Sequence, residues 1–149
     1  MKNMKTLILS LVLLLSLGCN KSNDDFESQT IKPFIVGKGH LNNNTIYTKQ
    51  NIVITNNNDW QTLLTNFNSI NNNITATFTE SNIDFNNYQI IVVIDIKNIS
   101  TSVDVTNIEE NANEIVVTIQ NLQLGLTQDI AQPFQIVKIQ KSAKPVIFQ

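Results

Sequence analysis

The chain has one thiol, Cys19, and one imidazole, His40, so nucleophilic or metal chemistry has few places to start. A lone histidine with no second histidine and no spare cysteine falls short of the three or four side chains that a zinc or iron site gathers, so neither a metal nor a cofactor is expected. Nucleophilic catalysis by serine or threonine would have His40 as its base, and no serine sits between the glycines of a nucleophile elbow. Carboxylates remain. Asp84, Asp95, Asp104, Glu109, Glu110 and Glu114 would make an acid and a base if the fold held two of them at a suitable separation, although charges on alternating strand positions are ordinarily a solvated face. The expectation is a protein without catalytic residues, with a weak hydrolase built on carboxylates as the remaining catalytic alternative.

The position of Cys19 gives it a different chemistry. Lys2 and Lys5 precede an apolar run over 6–17, which is short for a membrane span but has the charged start and greasy middle of a secretory signal. Leu15-Ser16-Leu17-Gly18-Cys19 then resembles the cleavage site of a bacterial lipoprotein, which implies removal of 1–18 and acylation of Cys19. Membrane lipid is thus the first partner expected. Residues 19–30 are polar and acidic, with too little apolar surface to fold, and read as a flexible tether. Within them Ser22, Asp24, Asp25, Phe26 and Glu27 form a stretch similar to the acidic export signal of surface lipoproteins, with Asn23 inserted. That similarity implies an outer-membrane protein exposed at the cell surface.

Loss of 1–18 from 149 residues leaves 131, enough for one domain over 31–149. This mature chain carries eight Lys and no Arg against 12 Asp and Glu, a formal charge of −4. Nucleic acid is excluded on that balance, since phosphate binding needs clustered cations. With Cys19 acylated no disulfide can form, and the core alone must stabilise the domain. The runs Asn42-Asn43-Asn44, Asn56-Asn57-Asn58 and Asn71-Asn72-Asn73 lie between apolar segments and read as loops.

Strands are predicted at 31–36, where Pro33 marks an edge, and at 46–55; Gly37-Lys38-Gly39-His40 reads as a loop. Asn58 or Asp59 is placed to cap a short helix whose Trp60, Leu63, Leu64 and Phe67 recur at i, i+3, i+4 and i+7. Its tryptophan should dock the helix on the sheet. Ile74, Ala76 and Phe78 alternate with threonines as in a half-buried strand. The β-branched run 88–96 should be the central strand; 103–119 a hairpin turning at 109–113; 134–139 and 146–148 the closing strands. The fold class expected is α+β and β-rich, a mostly antiparallel sheet or partly closed barrel of about seven strands covered by one short helix, with a pure sandwich as the alternative.

Four pieces of the chain together resemble the C-terminal domain of the protease complex subunit PrcB family. They are Asp59-Trp60-Gln61-Thr62-Leu63-Leu64, Ile83-Asp84-Phe85-Asn86-Asn87-Tyr88, Gln132-Pro133-Phe134-Gln135-Ile136-Val137-Lys138-Ile139 and Lys144-Pro145-Val146-Ile147-Phe148. The resemblance covers about 46–148 and rests on structural positions: Asp59, Trp60, Asp84, Phe85, Pro133, Phe134, Lys138 and Pro145. It implies a lipoprotein associated with a surface protease. Lys97-Asn98-Ile99-Ser100 stands where the family has a glycine-bearing turn. On the residues themselves, Asp84 is placed to accept from turn amides, Pro133 to mark an edge at a strand start, and Lys138 to snorkel outward from an apolar strand.

The leading expectation is a non-catalytic binding or accessory subunit with a protein partner, a protease among the candidates. An inhibitor that presents 37–44 or 124–132 to a protease cleft is the alternative. A glycan-binding module would need Trp60, Tyr47 and Tyr88 exposed.

Overall fold

The computed structural model describes residues 26–41, 46–97, 101–123 and 130–149. Its organising strand is β4 (Tyr88–Ile94), whose Ile90-Ile91-Val92-Val93-Ile94 is β-branched and apolar on both faces. Such a strand is stable only as a middle layer, covered on each side. Ile90, Val92 and Ile94 meet Trp60, Leu63 and Phe67 of the helix α1 (Asn57–Ile70), while Ile91 and Val93 meet Val103, Ile108, Ile115 and Val117 of a second sheet. Beside β4 lies β7 (Gln132–Gln140), built the same way: Phe134 and Ile136 face the helix, Val137 and Ile139 the second sheet.

Among the described residues the fold is therefore α+β, β-rich and mostly antiparallel, with one short α-helix laid over it, as the sequence led us to expect, and neither sheet closes into a barrel. The inner sheet has the order β2-β7-β4-β3, with β2 at Phe34–Leu41 and β3 at Gln50–Ile54. The outer sheet has the order β1-β5-β6-β8, with β1 at Gln29–Thr30, β5 at Thr101–Glu110, β6 at Ile115–Gln123 and β8 at Val146–Phe148. Strand β8 runs parallel to β6, and among the described residues the other pairings are antiparallel.

Helix α1 starts two or three residues earlier than expected. Asn56 is the cap: its side chain accepts from Asp59 N (3.0 Å) and donates to Asp59 Oδ2 (2.7 Å), a reciprocal arrangement in which Asp59 sits at the third helical position. The strand expected from the alternation of Ile74, Ala76 and Phe78 does not form. Asn73 adopts a left-handed conformation (φ 60°), the Asn68 side chain bonds the Thr75 backbone and hydroxyl, and Ile74–Thr77 winds into a 3-10 turn. Phe78 is thereby delivered to the core, against Trp60, Phe67 and Phe134.

The expected loop at Gly37-Lys38-Gly39-His40 is also a strand, part of β2, bulged between Ile35 and Gly37. Close packing explains the first glycine, since a Cβ there would lie 2.7 Å from the Phe78 ring. Gly37→Ala is therefore expected to lower stability by about 1–2 kcal/mol, because the half-buried ring must shift. At Gly39 a Cβ would meet Phe134 at 3.4 Å, an ordinary contact, so Gly39→Ala should be nearly neutral. Urea unfolding of the two variants checks the contrast.

Pro133 does not mark an edge. It lies near the start of β7, between β2 and β4, and is buried. Its carbonyl accepts from Asp95 N (3.0 Å), so its donorless nitrogen faces the same side, just past Ile94 where the β4 ladder ends. Pro33, by contrast, precedes β2, which is an edge strand.

Candidate functional site

The residues singled out from the sequence are mostly structural supports. Trp60 is fully buried and donates from Nε1 to Ser81 O (2.8 Å), leaving no ring face for a sugar. Phe134 is buried in contact with Phe67. Asp84 accepts from Asn86 N (3.0 Å) and Asn87 Nδ2 (2.8 Å), closing the turn that feeds β4, with Phe85 half-buried on the core. Pro145 O accepts from Ile115 N (2.9 Å), which starts the β6–β8 pairing. Lys138 does not run free into solvent: it pairs with Glu80 and lies between the rings of Phe34 (4.9 Å) and Tyr88 (4.7 Å). Tyr47 packs edge-on against Phe67.

Cys19, Ser22, Asp24 and Asp25 lie outside the described residues, as do 98–100 in the divergent turn. Phe26 and Glu27 are exposed at the start of the described chain. The stretch read as free tether is docked from there on: the Phe26 ring lies under Lys144 Nζ (3.9 Å), β1 pairs with Glu109 and Glu110, and Ile31 N donates to Ile108 O (2.8 Å).

Of the carboxylates that might have formed an acid and base pair, Asp84, Asp95, Asp104 and Glu110 are engaged by lysine or turn amides. Asp104 pairs with Lys38, Glu110 with Lys144 (2.9 Å), and Asp95 with both Lys49 (2.9 Å) and Lys97 (3.1 Å). Asp95 is the buried one. Burial pushes its carboxyl up, yet the Lys49 ammonium, the Ile96 N–H and Lys97 together hold it below the ordinary aspartate value. His40 Nε2 donates to Thr101 O (2.6 Å), tying the edge of the inner sheet to the outer one rather than facing a hydroxyl nucleophile. Among the described residues, no three His, Cys, Asp or Glu side chains converge closely enough to hold a metal ion, and no helix is long and apolar enough to cross a membrane.

Strand direction then divides the molecule into two poles. Phe34, Gln140, Tyr88, Ile54 and Glu110 lie at one, where the N-terminal stretch enters; Leu41, Gln132, Ile94, Thr101 and Gln123 lie at the other. The connections from β2 to β3, β4 to β5 and β6 to β7 all leave from the second pole. At the tether pole a groove of about 580 Å³ runs past Lys32, Phe34, Tyr88 and Lys141.

A second groove, of about 390 Å³, lies between α1 and β3. Tyr47, Gln50, Ile52, Val53, Leu63 and Asn66 line it, with Thr62 on the helix rim and Asp59 at its charged end. Nothing in the order of residues marks this place, because strand order alone makes β3 an edge strand among the described residues. One signal was available: the exposed positions of α1 are Asn, Gln, Thr and Ser, and Asp59 is its only charge.

No family model matches the chain, and neither the curated proteins nor the solved structures contain a match.

Proposed function

We propose that this chain is a lipid-anchored, non-catalytic binding subunit of the outer membrane, held at the cell surface by acylated Cys19 and engaging a partner protein there. The resemblance to the PrcB family makes a surface protease complex the first partner to examine. Polarity of the fold is the observation that carries this reading. The N-terminal stretch enters at one pole with the β5–β6 and β7–β8 turns, and the β2–β3, β4–β5 and β6–β7 connections leave from the other. Cys19 is seven residues ahead of the docked Phe26, about 25 Å at full extension, so anchoring keeps the tether pole near the lipid and turns the opposite pole outward.

Purification of the tagged protein in mild detergent tests it. One defined surface protein should co-purify with the wild type at a fixed ratio; recovery of the subunit alone would refute the binding role. The inhibitor reading keeps one supporting observation: Leu41 and Gln132 are register partners, so the chain leaves β2 and enters β7 side by side at the outward pole. Slowing of a co-resident protease by the purified protein would favour it, and no effect on any such protease would eliminate it.

A further inference from the structure

We propose that the groove between α1 and β3 takes an extended segment of the partner protein, which adds to the inner sheet as a fifth strand; this rests on the binding-subunit reading above. Strand β3 pairs with β4 alone among the described residues. In an antiparallel pair alternate residues direct both backbone N–H and C=O away from the partner, so β3 offers a row of donors and acceptors that an extended backbone matches.

Edges of this kind are normally defended by proline, a bulge, a charge or a cover. Gln50–Ile54 has none of the first three, and its register with β4 is uninterrupted. The opposite edge, β2, is bulged at Ile35/Gly37 and tied to the outer sheet through Lys38–Asp104 and His40–Thr101. Among the described residues β3 is thus the open edge of this sheet, and α1 flanks it to form a trough rather than a flat rim.

The lining sets the chemistry of the occupant. Ile52 and Leu63 form an apolar floor, Gln50, Thr62 and Asn66 supply neutral polar groups, and Asp59 is the one charged residue among the described residues that line it. Five strand residues span about 17 Å, so a segment of five or six residues fits, alternating apolar and polar side chains, with Lys or Arg beside Asp59. A second copy of this chain meets that charge poorly. The lysine next to its own β3, Lys49, is bound to the buried Asp95.

The probe is a phage-displayed library of random dodecapeptides panned on the lipidated mature protein in detergent, with binders re-measured by fluorescence anisotropy. Enriched sequences should alternate and carry a cation at one end. Thr62→Trp, which fills the trough from an exposed helix position, should weaken them at least about tenfold. Asp59→Asn should weaken peptides with the cation and leave their alanine versions unchanged, and amide exchange across Gln50–Ile54 should slow on binding. Asn66→Trp gives the same reading if Thr62→Trp fails to fold. No enrichment, or binders indifferent to both tryptophan variants, overturns the proposal; so does a wild-type dimer that Thr62→Trp dissociates, which would give the edge to a second copy. A co-purified partner retained by Thr62→Trp would end the groove assignment and leave the binding-subunit reading standing, whereas absence of a partner from wild type and variant alike would remove both.

Discussion

Trp60→Ala is expected to lower stability by about 3–5 kcal/mol, a loss of about 10–20 °C in thermal midpoint for a domain of this size. The indole is fully buried in the first turn of α1, where it contacts Phe78 (6.4 Å between centroids) and belongs to the same core cluster as Val36, Ile83 and Ile90. Val36 and Ile90 of the same cluster are held on β2 and β4, which limits collapse into the vacated volume. Trp60→Phe should cost less, about 1–2 kcal/mol, since Ser81 is exposed and its carbonyl can take a water in place of the indole N–H. Helix α1 forms one wall of the trough beside β3, so the alanine variant should also lose peptide binding at temperatures where the sheets remain folded. Chemical unfolding followed by circular dichroism measures the first effect, and a loss under about 1 kcal/mol would show that the helix is not held as described.

Asp95 gives the second large effect. Asp95→Ala is expected to cost about 2–3 kcal/mol at neutral pH, less than the full penalty for a buried ion pair because Lys49 and Lys97 are 60% and 34% exposed and can return to water. The carboxylate also accepts from Ile96 N (2.8 Å), at the point where β4 gives way to the connection toward β5. Its folded pKa is depressed, so the folded state declines a proton that the unfolded chain accepts. This contribution stands above the ordinary aspartate pKa of about 4 and is lost as pH falls through the lower folded value. Asp84, depressed chiefly by its Asn87 side-chain bond and then by Asn86 N–H, works in the same direction. The urea midpoint of the wild type should fall between pH 5 and pH 3 by more than that of Asp95→Asn; equal falls would mean that Asp95 is not the group responsible.

Segments whose neighbours are close in sequence, or whose pattern dictates burial, were legible in advance. The doubly apolar β4 could only be interior, and the Trp60-Leu63-Phe67 stripe could only face a sheet. Local alternation misled at 74–78, where side-chain bonds from Asn68 and a left-handed Asn73 made a tight turn out of residues spaced like a strand. Glycine misled at Gly37, which is small because Phe78 presses on it and not because the chain turns there. Pairings set by tertiary order were out of reach. That Lys138 meets Glu80, that Asp95 collects two lysines, and that β3 is an edge strand among the described residues all depend on strand order, which the sequence alone did not state.

Protease shaving of intact cells carrying wild type or Cys19→Ala tests whether this is an anchored binding protein displayed outside the cell. Wild type should fractionate with the outer membrane, be removed from whole cells by added protease, and bring its partner with it in detergent, while Cys19→Ala is released into a soluble fraction. A wild-type protein that is protected in intact cells, or that fractionates the same way with and without Cys19, would rule out lipid-anchored surface display.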